Sequence, residues 1–138
     1  MENYHETSTV LDQAKIDAIA SSLKQSWSKE TCYPKSREQW SEQNPALGQC
    51  AITSILISNM FGGRIAKNVE NNHNWNILPD GSQHDFSRTQ FTEDVDLTID
   101  KISEANDELV GPKAERAETP QRYELLKQRF DKIYQQSA

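Results

Sequence analysis

Apolar residues recur at helical spacing near the start of the chain. The positions that form this stripe are Ile16, Ile19, Ala20, Leu23 and Trp27. Side chains three and four residues apart share one helix face, so the spacing predicts an amphipathic helix with one buried side. Ser8 or Thr9 is suited to cap that helix, because a hydroxyl oxygen can accept a hydrogen bond from a free backbone N–H. Residues 1–7 are polar and are expected to be frayed.

A second apolar segment, residues 51–61, differs from the first in being apolar on more than one face. This pattern is typical of a central, buried helix. Gly62 and Gly63 follow it, and one of them is expected to take the left-handed conformation that ends a helix. The preceding stretch, residues 28–44, is polar and contains Pro34, so an ordered loop is predicted there.

Three short segments then carry strand patterns: residues 64–69, 73–78 and 82–86. The last two are joined by Pro79-Asp80-Gly81, whose residues suit a three-residue hairpin loop with a G1 bulge.

This loop length sets the register of the predicted hairpin. Leu78 faces Ser82 and Trp75 faces Asp85, while His73 shares a face with Trp75 because side chains alternate along a strand. Asp85 then lies diagonally across from His73 at about 7–8 Å, which two side chains can close to a hydrogen bond. A two-residue loop would place the two side chains on opposite faces.

The remainder of the chain is acidic over residues 92–118, where Leu97, Ile99, Ile102 and Leu109 fit either a helix or a flexible excursion. Thr119-Pro120 then predicts a helix start. The apolar stripe of this C-terminal helix, expected to pack on the sheet, is Tyr123, Leu126, Phe130 and Ile133. Residues 1–138 are therefore expected to form a single α+β domain with N-terminal helices, a small antiparallel sheet and a C-terminal helix.

Charge and cysteine content narrow the function classes. The formal net charge is −6, without a local Lys/Arg cluster, which argues against a nucleic-acid partner. The apolar runs are too short for a membrane span, and the polar, acidic start is unlike a secretory signal, so a cytoplasmic protein is expected. Cys32 and Cys50 are too few for a disulfide framework, although one bridge stays possible, and no spacing resembles a zinc site. We expect neither a metal nor a cofactor.

The candidate chemistry centres on Cys50, which directly precedes the predicted buried helix. Unpaired N–H groups and a partial positive charge at a helix start favour a thiolate over a thiol. His73 and Asp85 follow in the order nucleophile, base and orienting carboxylate, which is compatible with thiol-based acyl chemistry. The expected substrate is a peptide or another amide-bearing molecule.

Each of these residues also has a structural interpretation. Cys50 is compatible with a small apolar residue of the core, and His73 with a strand histidine bonded to a backbone carbonyl. His84 is the rival base, but alternation places it on the opposite strand face from Asp85. Asp85 itself suits a turn or helix cap.

An oxyanion site requires two hydrogen-bond donors near the nucleophile. The backbone N–H of Cys50 is the natural first donor. The second is left open among Gln43, Asn44, Gln49 and a backbone amide of residues 27–31. Trp75 is expected to form a wall of the site and to shield the His73–Asp85 hydrogen bond.

Several motifs together resemble the bacterial YunG-like family. They are Trp27-Ser28-Lys29-Glu30-Thr31, Asn44-Pro45-Ala46-Leu47-Gly48-Gln49-Cys50, Phe61-Gly62-Gly63, residues 73–81 and Asp85-Phe86-Ser87-Arg88-Thr89-Gln90-Phe91. The resemblance covers roughly residues 10–91, with a weaker echo in Arg122-Tyr123-Glu124-Leu125-Leu126-Lys127. It implies an architecture more than a reaction.

More remotely, the chain is similar to transglutaminase-like and papain-like cysteine enzymes. The similarity consists of a Cys that opens a buried helix, a His in one strand and an Asp in the next. This resemblance implies that Cys50 is the nucleophile, His73 the base and Asp85 the orienting residue. The chain is short and has no evident substrate-cleft domain, which leaves peptidase, amidase, deamidase and acyl-transfer chemistry open.

Three functions follow as alternatives. The first is a thiol-dependent hydrolase or acyl-transfer enzyme. The second is a noncatalytic interaction domain that retains the fold and binds a basic partner through its acidic surface. The third is a redox sensor in which Cys32 resolves Cys50 as a disulfide.

Overall fold

The computed structural model describes residues 11–91 and 94–137, with side chains to residue 135. The helices are α1 (Gln13–Ser26), α2 (Cys50–Phe61), α3 (Pro112–Arg116) and α4 (Thr119–Ser137). The strands are β1 (Arg64–Asn68), β2 (His73–Ile77), β3 (Gln83–His84) and β4 (Lys101–Ser103). The predicted α+β class, with helices packed on a small antiparallel sheet and a C-terminal helix, is confirmed.

Helix α1 starts at a carboxylate cap. The Asp12 carboxylate accepts a hydrogen bond from the backbone N–H of Lys15 at 2.8 Å, which satisfies one of the free donors of the first turn. Ser8 and Thr9, which the sequence offered as caps, lie outside the described residues.

The buried stripe of α1 also differs from the prediction at one position. Ala20 is exposed, whereas Ser22 and Ser26 are fully buried. The Ser26 hydroxyl donates to the backbone oxygen of Ser22 at 2.7 Å, so this polar atom is satisfied inside the core. The buried face thus includes two serines outside the predicted stripe, and the Ser22 hydroxyl has no hydrogen-bond partner among the described residues.

Helix α2 is the central element of the core. Its buried side chains lie on nearly all faces: Cys50, Ile52, Thr53, Ser54, Ile55, Leu56, Ile57, Ser58 and Phe61. One side of α2 packs on β1 and β2, and another packs on α4. Burial on several faces explains why the segment lacks a polar stripe.

The C-terminal helix α4 occupies a different place from the one predicted. It packs principally against α1 and α2 rather than on the sheet. Its apolar residues Tyr123, Leu126 and Phe130 are buried there. Helix α2 already covers the face of the sheet, so the stripe of α4 is buried against the helices.

The sheet has the strand order β3-β2-β1-β4, and every neighbouring pair is antiparallel. In the β2–β3 hairpin Ile77 pairs with Gln83, and the backbone N–H of Leu78 donates to the oxygen of Ser82 at 2.9 Å. This is the register that the three-residue loop predicts. Strand β3 is shorter than predicted because the chain turns after His84.

Strand β4 lies within the segment whose structure the sequence left open. It pairs with β1 over three residues and is followed by a 3₁₀ turn, Ala105–Leu109, and by α3. A three-residue strand with an exposed central Ile102 has too little alternation to be recognised from its pattern. Within the parts of the chain described, no helix combines the length and the apolar character needed to cross a bilayer.

Two glycines test how tightly α2 is joined to the hairpin. Gly63 (φ +86°) and Gly81 (φ +88°) both lie in the left-handed region. A Cβ on Gly63 would meet the backbone oxygen of Ile77, whereas a Cβ on Gly81 would meet nothing within 4 Å.

We expect Gly81→Ala to lower the free energy of unfolding by about 1 kcal/mol and Gly63→Ala by about 3 kcal/mol or more.

Urea unfolding of the two variants measures this difference, and Gly81→Ala is the matched control for backbone strain alone. Equal losses in the two variants would contradict the close packing of Gly63 on β2.

Candidate functional site

Cys50 is the first residue of α2, and the helix start is free of side-chain caps. Gln49, in the cap position, makes no capping hydrogen bond. The first N–H groups of a helix have no partner within it, so they place a partial positive charge beside the thiol.

The amide of Gln49 is used elsewhere. Its Oε1 accepts from the Thr31 hydroxyl at 2.8 Å, and its Nε2 donates to the backbone oxygen of Ser28 at 3.1 Å. Gln49 is fully buried. These two bonds tie the residue before Cys50 to the loop that follows α1, and they fix the position of the helix start.

The Cys50 Sγ has two polar neighbours near the start of β2. It lies 3.7 Å from the backbone oxygen of Asn72, to which the thiol donates, and 3.8 Å from Nδ2 of Asn74, which donates to the sulfur. Cys50 is only 8% exposed. It is one of the residues that line a cavity of about 660 Å³.

His73 and Asp85 form a pair in which the imidazole is buried and the carboxylate is partly exposed. Nε2 of His73 lies 2.8 Å from Oδ2 of Asp85. The imidazole is fully buried, with its ring 5.9 Å from the Trp75 ring in a stacked arrangement and 4.9 Å from the Phe91 ring edge-on. The proximity expected from the hairpin register is therefore observed. His84, the rival base, lies 3.2 Å from the Ser82 hydroxyl instead.

The other nitrogen of His73 is also occupied. Nδ1 accepts a hydrogen bond from the side-chain Nε2 of Gln90 at 2.9 Å, so the ring in this arrangement is neutral and carries its proton on Nε2. An imidazolium requires the Gln90 amide to move away or to turn its oxygen toward Nδ1. A Cys50–His73 hydrogen bond of standard geometry is not among those of the described residues. Electrostatic interaction couples the thiol and the imidazole instead, and it changes the pKa of each group.

This coupling moves both pKa values. Burial raises the pKa of the Cys50 thiol, but the interaction with His73 outweighs burial and holds the pKa below its ordinary value. Burial lowers the pKa of His73, but the hydrogen bond to Asp85 and the Cys50 thiolate outweigh it and raise the pKa to about 9. The two directions favour a thiolate beside an imidazolium near neutral pH.

The other residues that the sequence suggested for the site make contacts away from the Cys50 sulfur. Gln43 is exposed. Nδ2 of Asn44 donates to the backbone oxygen of Gln90 at 3.1 Å, so Asn44 supports the residue that contacts His73. Trp75 covers the imidazole and donates from Nε1 to Oε1 of Gln83 at 2.9 Å.

Cys32 is fully buried, and both cysteines are free thiols. Burial raises the pKa of the Cys32 thiol, and the Arg122 guanidinium only partly opposes this effect. Cys32 is thus a less acidic thiol than Cys50.

Sequence reasoning missed two members of the site, Asn74 and Gln90. Asn74 is buried beside Cys50, and its Oδ1 has no hydrogen-bond partner. Alternation along β2 places Asn74 on the same face as Asn76, which donates to the Ser54 oxygen of α2, so the signal for Asn74 becomes visible only once that face is known. Gln90 lies in a short 3₁₀ turn, Arg88–Gln90, and no local signal links it to a histidine 17 positions earlier.

The Cys50–His73 coupling predicts the pH dependence of thiol alkylation. Iodoacetamide should label Cys50 with a pKa below the ordinary value of about 8.5. In His73→Ala that pKa should rise, because burial is then opposed by the backbone hydrogen bond from Asn74 without the stronger contribution of His73.

The matched control is His84→Ala, which removes a histidine outside the pair. Labelling quantified by mass spectrometry across pH separates the variants. An unchanged pKa in His73→Ala would refute the coupling.

Comparison with known proteins identifies a family and a relative, and neither description names a reaction. The sequence profile described as "YunG protein" matches residues 15–135. A protein of Bacillus subtilis (strain 168), described as "Uncharacterized protein YunG", is 39% identical over 71 residues. That alignment covers 50% of this chain and 56% of the relative, so it spans little more than half of the relative's length. No solved structure matches the chain. Since the profile extends over most of its length, the chain belongs to the YunG protein family.

Proposed function

We propose that this protein is a thiol-dependent hydrolase or acyl-transfer enzyme that acts on a peptide-like or side-chain amide. The observation that carries the proposal is the placement of Cys50: a thiol of lowered pKa at an uncapped helix start, coupled to the His73–Asp85 pair and lining a cavity. Thiolates in such electropositive surroundings are nucleophiles, whereas structural cysteines have raised pKa values.

The first chemical step forms a thioester. The Cys50 thiolate attacks the carbonyl carbon, a C–S bond forms, and the carbonyl π electrons move to oxygen. When the tetrahedral species collapses, the C–N bond breaks and the departing amine takes a proton from the His73 imidazolium.

The second step releases the acyl group. His73 accepts a proton from water or from an acceptor amine as that nucleophile attacks the thioester, and the Cys50 thiolate leaves. Asp85 holds Nε2, so Nδ1 is the nitrogen that carries the mobile proton. Because Nδ1 also meets Gln90 at 2.9 Å, proton transfer requires the imidazole to exchange the Gln90 amide for the reacting groups.

Asn74 is suited to stabilise the oxyanion. Its Nδ2 lies next to the Cys50 sulfur, and it shares the cavity wall with Cys50. Together with the free backbone N–H of Cys50 it supplies the two donors that a tetrahedral intermediate needs. This assignment replaces the competing amides of residues 43–49, of which Gln49 is already tied to the Ser28–Thr31 loop.

The remote resemblance to papain-like and transglutaminase-like enzymes agrees with this proposal. A Cys at a buried helix start, a His in a later strand, β2, and an Asp directly after the next strand, β3, occur here in the same order. In both groups of enzymes the Cys is the nucleophile and the His is the base, and the resemblance leaves hydrolysis and transfer equally open. The resemblance supports acyl chemistry over a redox role.

Acetylation by p-nitrophenyl acetate tests the thioester step. We expect intact-mass analysis to show one hydroxylamine-labile acetyl group on the wild type and on Cys32→Ala, and none in Cys50→Ala. His73→Ala should be acetylated about 100-fold more slowly because the thiol pKa rises and its proton acceptor is lost. Asp85→Asn should have a milder effect, since its role is orientation.

Asn74→Ala separates oxyanion stabilisation from thiol reactivity. Acetylation should slow by about 100-fold, because a tetrahedral oxyanion forms in that reaction. Alkylation by iodoacetamide, which forms no oxyanion, should keep nearly its wild-type rate. A thiol that is inert to both reagents, or acetylation that persists in Cys50→Ala, would contradict the proposal and favour a noncatalytic interaction domain.

A further inference from the structure

The cavity beside Cys50 has a charge opposite to that of the chain. The formal net charge of the protein is −6, yet basic side chains dominate the cavity wall. The cationic wall residues are Lys35, Lys67, Lys101, Lys113, Arg116 and Arg122, and the acidic ones are Asp107 and Glu108. A cleft lined by one sign of charge concentrates ligands of the opposite sign.

Three of the wall residues form a row across the sheet. Lys67 on β1 pairs directly with Asn74 on β2 and with Lys101 on β4. Directly paired residues project on the same face, with about 4.7–4.9 Å between neighbouring strands. Asn74 touches the Cys50 sulfur, so Lys67 lies one strand and Lys101 two strands away from the thiol.

This row is electrostatically unfavourable without a ligand. Like charges directly opposite each other destabilise a sheet. Lys113 approaches from α3: burial lowers the pKa of Lys67, and Lys113 lowers it further, while Glu108 and the Cys50 thiolate partly oppose the shift. The ion pairs found within residues 11–91 and 94–135 do not include Lys67, Lys101 or Lys113.

Arg122 adds a fixed positive charge to the same wall. Its guanidinium is 3% exposed and donates to the backbone oxygens of Thr31, Gly48 and Ala117, at 2.9, 2.9 and 3.1 Å. These partners are neutral carbonyls, so no carboxylate in this set cancels the charge. Arg122 thus contributes to the positive potential while it holds the loop before Cys50 in place.

We propose that the molecule that reacts at Cys50 carries an anionic group, a carboxylate or a phosphate, which Lys67, Lys101 and Lys113 bind. With the reacting carbonyl at the sulfur, the strand spacing places the anion about 5–10 Å further along the cavity. The inference rests on the proposed function and specifies its substrate class: amides or esters with an acidic group a few bonds from the carbonyl.

Two alkylating reagents that differ in charge test this preference at the thiol itself. Iodoacetate carries a carboxylate, and iodoacetamide is its neutral counterpart with the same reaction. We take the rate with iodoacetate over the rate with iodoacetamide at Cys50 and divide it by the same ratio for 2-mercaptoethanol. This normalised ratio should be about 10 or more. Added salt should reduce it.

Lysine variants locate the source of the preference. Lys67→Gln and Lys113→Gln should each lower the normalised ratio about threefold, and the double variant should bring it near one. Lys24→Gln is the matched control, since Lys24 lies in the last turn of α1 and outside the cavity. A wild-type ratio near one, or an equal loss in Lys24→Gln, would overturn the anion site.

A binding experiment keeps this inference separate from the reactivity of the thiol. Glutarate or inorganic phosphate, titrated into Cys50→Ala, should shift the NMR signals of the Asn74 side-chain amide and of the Lys67 and Lys101 backbone amides. The tighter of the two probes identifies the anionic group. Saturable shifts that disappear in the Lys67→Gln/Lys113→Gln double variant would support the anion site even if Cys50 fails to acylate. The absence of shifts with both probes would contradict the anion site.

Discussion

The burial of α2 is the constraint on which the rest of the structure depends. This helix lies against β1 and β2 on one side and against α4 on another, so its axis and its first residue have little freedom. Cys50 is that first residue. Because Asn76 of β2 donates to the backbone oxygen of Ser54 at 2.9 Å, the helix start and the strand that carries His73 are held in one register. The geometry of the site thus follows from core packing.

The polar groups around Cys50 form a chain in which each member fixes the next. Asp85 holds one nitrogen of His73, Gln90 meets the other, and Asn44 holds the backbone of Gln90. A fully buried imidazole held on both sides keeps one orientation, and Trp75 covers its face. The Asp85 carboxylate offsets the cost of a positive charge on this buried ring, whereas the donated amide N–H of Gln90 favours the neutral ring.

Attraction between opposite charges links the site to its cavity. The thiolate that His73 stabilises is one of the groups that raise the pKa of Lys67, and the lysines in turn surround the approach to the sulfur. The positive wall therefore serves two ends in our account: it favours the ionised thiol and it attracts an anionic ligand. An overall acidic chain that gathers basic side chains at one cavity is most simply explained by a ligand there.

Much of this arrangement was accessible from the sequence, and the failures have identifiable causes. Helices α1 and α4 follow from their periodicity, α2 follows from its continuous apolar segment, and the hairpin follows from the turn residues Pro79-Asp80-Gly81. The hairpin register brings His73 to Asp85. Strand β4 was missed because pairing with β1, not its own pattern, makes it a strand. Asn74 and Gln90 were missed because their roles arise from contacts between elements distant in sequence, Cys50 in one case and His73 in the other.

The most direct test of the thiolate–imidazolium account is an NMR titration of the His73 imidazole, in the wild type and in Cys50→Ala. The raised pKa of about 9 predicts an imidazolium at pH 7 in the wild type. Since the thiolate is one cause of that shift, the pKa should fall in Cys50→Ala, while the hydrogen bond to Asp85 still partly supports it. A neutral imidazole at pH 7, or the same pKa in both proteins, would contradict the central claim that Cys50 and His73 share a charge pair.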